Sequence, residues 1–202
     1  MRAGTTSRPR HGKIGRRSED PAFAAMRQLL LLRHAKSSWD DPKLPDHARP
    51  LNARGRQAAG AMRRAMRDLS LAPDVVLVSS ARRTLQTLEA LGPWDETPLV
   101  EPMDALYLAP APGMLAVLNG VAETARSVML IGHNPGLYEL ALLLAGTTGM
   151  NAGTPAARRL AQGYPTGALA EFTVPGPWER LDGGSARLLR FLAPGDLPEM
   201  AA

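Results

Sequence analysis

Leu29-Leu30-Leu31-Leu32-Arg33-His34-Ala35-Lys36 is the stretch from which the rest of the chain is read. Four apolar residues of strand type stop abruptly in cationic and nucleophilic side chains. In open α/β sheets ligands sit at the carboxyl ends of strands. The stretch therefore predicts a buried strand whose tip carries a ligand site, with His34 as candidate nucleophile and Arg33 as the holder of the phosphate it attacks.

Two further apolar runs end in the same manner. Val75-Val76-Leu77-Val78 is a continuous run of the kind parallel sheets bury on both faces, and it stops at Ser79-Ser80-Ala81-Arg82-Arg83. Ser127 to Ile131 stops at Gly132-His133-Asn134-Pro135-Gly136. Between these runs the apolar spacing predicts helices. One runs from an Asn52 cap to about Ser70 with Ala58, Met62, Ala65, Met66 and Leu69 inward. A second, capped by Ser79-Ser80, has Ala81, Leu85, Leu88 and Leu91 on one face. A third covers about 113–123 and a short fourth 137–144. Pro98 to Glu101 reads as a short strand, 35–51 as a proline-broken polar loop, and 146–164 as a mobile loop. Strands over 168–174 and 186–192 close the chain as a hairpin. This order predicts an α/β fold: a three-layer α/β/α sandwich with a mostly parallel central sheet, a minimal cap and a late antiparallel hairpin. The three unusual junctions then converge on one edge of the sheet.

Composition narrows the class. A chain of 202 residues suits one core, expected over 26–202. With no cysteine, disulfides, thiolate metal sites and a cysteine nucleophile are excluded. No apolar run reaches the ~18 residues that span a bilayer, and a cytoplasmic setting is expected. The formal charge of +5 is concentrated in residues 1–25, which hold +4 and leave +1 for the other 177. A basic tail, expected to be disordered, accounts for the charge without a nucleic-acid face. Met26, one residue before the first strand, reads as an alternative start. The expected partners are a phosphorylated protein or small phosphorylated substrate, with no nucleic acid and no membrane, the chain being a monomer or weak dimer.

The second junction carries its own physical signal. Arg82 and Arg83 in the first turn of a helix oppose its dipole, at roughly 0.3–1 kcal/mol each. An anion held between the helix terminus and the guanidiniums reverses that penalty. Two arginines, two histidines and helix-terminal N–H groups form an inventory for a phosphoryl group.

These motifs resemble the histidine phosphatase superfamily, which has the phosphoglycerate mutase-like fold, and within it the SixA-type phosphohistidine phosphatases. The Arg-His-Gly signature is present as Arg33-His34-Ala35, the second motif as Arg83 with Gln86-Thr87, and the second histidine as His133 in Ile131-Gly132-His133-Asn134-Pro135-Gly136-Leu137. Asp46 to Gly55, Ala105-Leu106-Tyr107 and Trp178 to Pro194 also look like stretches of this branch, so the resemblance covers roughly 27–198.

The resemblance implies that His34 attacks phosphorus through a neutral nitrogen, its other nitrogen's proton being held by a backbone acceptor. It also implies that Arg33, Arg83 and His133 clamp the phosphoryl oxygens without metal or cofactor. Asn134, Lys36 and Arg49 are expected at the substrate. Larger members place a glutamate acid in the segment aligning with 106–108; Leu108 stands there, and Asp104 is the substitute candidate. An absent acid favours phosphohistidine, whose imidazole leaves readily, over alkyl phosphates. The alternatives are a small-molecule phosphomonoesterase of the same fold and a non-catalytic phosphate-binding module. Arg82 reads as a solvated neighbour of Arg83, and Trp94 and Trp178 as packing residues.

Overall fold

Six strands and five helices organise residues 26–200, the part that the computed structural model describes; the tail expected over 1–25 lies outside the described residues. The strands are β1 (Arg27–Arg33), β2 (Val75–Ser79), β3 (Leu99–Met103), β4 (Ser127–Gly132), β5 (Leu169–Val174) and β6 (Arg187–Leu192). The helices are α1 (Ala53–Asp68), α2 (Arg82–Leu91), α3 (Ala111–Asn119), α4 (Gly136–Met150) and α5 (Pro155–Ala161). One sheet runs in the order β3-β2-β4-β1-β5-β6. Strands β1 to β4 are mutually parallel, and β5 pairs antiparallel with both β1 and β6.

The leucine run of β1 serves both faces. Leu29 and Leu31 enter a core with Leu118 of α3, Leu137, Leu140 and Leu144 of α4, and Leu160 of α5. Leu30 and Leu32 enter a second core with Ala61, Met62 and Met66 of α1 and Leu91 of α2. Alternation along each strand thus builds the three layers. Among the described residues no helix is long and apolar enough to cross a membrane.

Helix α1 begins as expected at Asn52, whose side chain accepts the Gly55 N–H at 2.8 Å. A Cβ at Gly55 would lie 2.1 Å from the Lys36 carbonyl oxygen, so this helix end rests directly on the backbone that follows His34.

Three expectations are corrected. The span 146–164 is not a loop: α4 continues through a kink at Gly146, and Thr154 caps α5 by accepting the Ala157 N–H at 3.1 Å. The Thr154-Pro155 start is an N-cap followed by a first-turn proline. The buried side of α5 consists of Ala156, Ala157 and Leu160, residues small enough to hide the periodicity. Secondly, Ser79-Ser80 does not cap α2; Ala81 occupies the N-cap without a side-chain bond. Thirdly, α2 buries Arg83, Thr84, Thr87 and Leu91, while Leu85 is 37% exposed. A polar face turns inward because Arg83 reaches the cavity described next, while the Thr84 and Thr87 hydroxyls bond the backbone of Ser79 and Ala35.

Candidate active site

Sheet register assembles the site. Arg33 of β1 lies opposite Gly132 of β4, and the His34 N–H donates to the Gly132 carbonyl at 3.2 Å. The next residue on each strand is a histidine, and the rings of His34 and His133 stand 5.2 Å apart. On the other side of β4, Val78 of β2 pairs with Ile131, so the next residue, Ser79, ends β2 within side-chain reach of His133. After β1 the chain passes to α1 on one face, and after β4 to α4 on the other. The crevice between these strands is the switch point at which α/β sheets bind ligands.

His34 is buried, and its Nδ1 lies 2.8 Å from its neighbour's carbonyl, Ala35 O. A carbonyl only accepts, so Nδ1 carries the proton and Nε2 is bare. Burial, then the charges of Arg83, Arg33 and Arg49, outweigh the Ala35 bond and lower the His34 pKa to about 4.

His133 is held from both sides. Arg83 Nη2 lies 3.2 Å from its Nδ1, and Ser79 Oγ 2.8 Å from its Nε2. A guanidinium only donates, so Nδ1 accepts and Nε2 donates to the serine. Burial, followed by His34 and Arg83, lowers the His133 pKa to about 3.

Asp46 ties the arginines together. Its Oδ1 accepts from Arg49 at 2.9 Å, and its Oδ2 accepts from Arg83 at 3.0 Å and from the Tyr107 hydroxyl at 2.8 Å. Burial pushes its pKa upward, but Tyr107, Arg49 and Arg83 together bring it down to about 2. Arg33 donates through Nη1 to Tyr164 O at 2.8 Å, while its Nε is buried without a partner. Burial and then the nearby Arg83 both oppose the Arg33 charge. A donor left open beside two crowded guanidiniums is a site suited to an anion.

The loop bearing His34 is pinned by α2. Thr87 Oγ1 accepts the Ala35 N–H at 3.0 Å while donating to Arg83 O, and Gln86 accepts the Leu51 N–H at 2.7 Å. The Gln86-Thr87 pair therefore holds the first motif against the second. Ala35 fills a small cluster with Leu51 and Ala59, which accounts for a side chain at that position.

A cavity of about 420 Å³ brings together Arg33, His34, Lys36, Arg49, Arg83, His133 and Asn134. Arg49 lines it, but its three nitrogens are committed to Ser38 O, Asp46 and Ser37 Oγ. Asn134 donates to Tyr164 O at 2.9 Å. Asp104 is not among the lining residues: it is exposed at the start of the 3-10 turn Asp104–Leu106, and Leu108, two residues beyond that turn, lines the cavity instead. Asp46 and Trp39 also line the cavity, and sequence reasoning assigned a role to neither. The spacing of Asp46 and Arg49, three residues apart in a proline-bounded segment, was the available signal for the first. Among the described residues no cluster of His, Cys, Asp or Glu is suited to a metal ion.

Residues 29–104 match the family model of the histidine phosphatase superfamily (branch 1). An uncharacterised protein of Mycobacterium tuberculosis is 35% identical over 164 residues, which cover 81% of this chain and 99% of that protein. Among solved structures, a candidate SixA phosphohistidine phosphatase from Nakamurella multipartitia superposes with a TM-score of 0.73 at 31% identity, covering 84% of this chain and 96% of that one. A second, from Agrobacterium tumefaciens, gives 0.70 at 29% identity, covering 83% and 97%.

Proposed function

The chain belongs to the histidine phosphatase superfamily, in its SixA-type branch, and from that premise we propose that this phosphatase works through a phosphohistidine on His34 and takes its phosphoryl group from phosphohistidine on a cytoplasmic protein. The observation that carries the reading is the bond from His34 Nδ1 to Ala35 O, which leaves Nε2 as a bare nucleophile at neutral pH.

In the first step Nε2 of His34 forms a bond to phosphorus as the P–N bond of the substrate breaks. The electron pair stays with the leaving nitrogen. With its other ring nitrogen protonated, the substrate imidazole departs neutral and needs no proton from the enzyme. Arg33 and Arg83 neutralise charge on the equatorial oxygens. Water then attacks phosphorus, the pair in the P–Nε2 bond returns to His34, and the water proton passes to phosphate or solvent. Both transfers begin from a phosphoimidazole, so neither is steeply uphill. Leu108 lines the cavity in the segment where larger family members carry an acid, which supports a leaving group that departs unaided over an alkoxide.

The test is to incubate the protein with a 32P-phosphohistidine protein, quench it, and characterise the label. An acid-labile, alkali-stable adduct absent from His34→Ala is expected. Turnover that survives His34→Ala overturns the mechanism. Equal kcat/KM on phosphohistidine and on alkyl phosphomonoesters overturns the substrate.

A further inference from the structure

The floor of the cavity is charged, but part of its rim is apolar. Trp39, in the loop after β1, and Leu108 both line the cavity and are 76% and 52% exposed. Leu108 sits at a φ of +49°, a backbone conformation that a leucine rarely takes, and this turn presents its side chain at the cavity. Trp39 is exposed yet held: the Arg49 guanidinium carbon lies 3.0 Å from the centre of its ring. Arg49 is itself buried and fixed by Ser38 O, Asp46 and Ser37. One face of the indole therefore rests on an immobile cation, and the other is left to solvent beside the reacting centre.

We propose that Trp39 is a stacking platform for a flat, neutral leaving group, the imidazole ring of a phosphohistidine side chain, and so sets the leaving-group specificity of the site. The proposal rests on the reading of His34 as nucleophile, because that reading seats the phosphoryl at the floor and its leaving group at the rim. An indole already stacked on a guanidinium has its quadrupole engaged, so its free face favours the substrate ring more strongly as that ring loses its positive charge on leaving phosphorus. An aromatic platform also distinguishes a ring from ammonia or an alkyl group, which the floor of the cavity has no means to do.

The experiment compares kcat/KM on two substrates that deliver the same phosphoryl group, phosphohistidine and phosphoramidate, the second losing ammonia and having no ring. The quantity read is the ratio of the two values for the wild-type chain, Trp39→Phe and Trp39→Leu. Trp39→Phe is expected to keep most of the preference for the ring. Trp39→Leu, apolar but not flat, is expected to lower the ratio by about three- to tenfold. A ratio unchanged in Trp39→Leu overturns the platform, as does an equal fall in both variants. Trapping the phosphoenzyme from phosphoramidate separates the two readings. Label on His34 with no dependence of the ratio on residue 39 overturns the platform alone; no label from either substrate overturns the nucleophile and the platform with it.

Discussion

A histidine that attacks phosphorus must be unprotonated while surrounded by the cations that attract its substrate, and at His34 these demands act in the same direction. Burial, with Arg83, Arg33 and Arg49, disfavours the imidazolium and lowers the pKa to about 4. An unfolded chain binds a proton here near pH 6.5. Between about pH 6.5 and 4 the unfolded state therefore holds the extra proton, and stability falls as pH falls through that window. Nitrogen-15 NMR is expected to show His34 Nε2 unprotonated at pH 5; half-protonation at pH 6 or above sinks the assignment. His133 poses a different question, because Arg83 and Ser79 already occupy both its nitrogens. To donate to a phosphoryl oxygen it must first gain a proton at Nδ1, and an incoming dianion favours that gain. Sulfate does not titrate near pH 6, so its binding at that pH is expected to take up protons, read from the dependence of the calorimetric enthalpy on buffer, and His133→Gln is expected to abolish the uptake. Buffer-independent enthalpy would reduce His133 to a rest for Arg83.

Single residues reach the cavity only because elements brace one another. The hydroxyl of Thr87, on α2, accepts the Ala35 N–H from the loop after β1, and the N-terminus of α1 presses Gly55 against Lys36 O. Thr87→Val keeps the shape of the helix but leaves a buried N–H unsatisfied, a loss of about 1–3 kcal/mol in urea unfolding. It is also expected to lower kcat more than it raises KM, since the loop it frees carries His34, the proposed nucleophile. Unchanged stability and kcat would show that Ala35 finds another acceptor. This bracing also marks where sequence reading succeeds and fails. The strand tips at 33, 79 and 132 were legible because apolar runs ending in polar residues are a local pattern. On α2 Ala81, Leu88 and Leu91 turn to the core as expected, but Leu85 goes outward, and Thr84 and Thr87 go inward to bond the backbone of Ser79 and Ala35, which apolar spacing does not reveal. Helix α5 was missed because alanines at core spacing resemble a polar loop. Asp46 and Trp39 were missed because they themselves lie in the loop after β1, and periodicity is silent about loops.

At the scale of the whole molecule, what lies over the cavity decides what can enter it. Between β1 and α1 the chain makes one 3-10 turn, Asp46–Ala48, and between β3 and α3 another, Asp104–Leu106. Neither segment builds a cap, and the rim is formed by the exposed side chains of Lys36, Trp39 and Leu108. A phosphohistidine on a folded domain can therefore approach without the enzyme having to open. Where the interface backbone of an enzyme moves little on binding, a folded partner can dock as a rigid body. The kcat/KM for a phosphohistidine displayed on a folded carrier domain is expected to lie within about tenfold of that for the same residue in a short peptide, a difference of roughly 1.4 kcal/mol. A peptide preferred by several orders of magnitude would mean that the walls around Trp39 and Leu108 exclude a protein surface. The substrate would then be a small molecule, although the same strand tips would still hold its phosphoryl group.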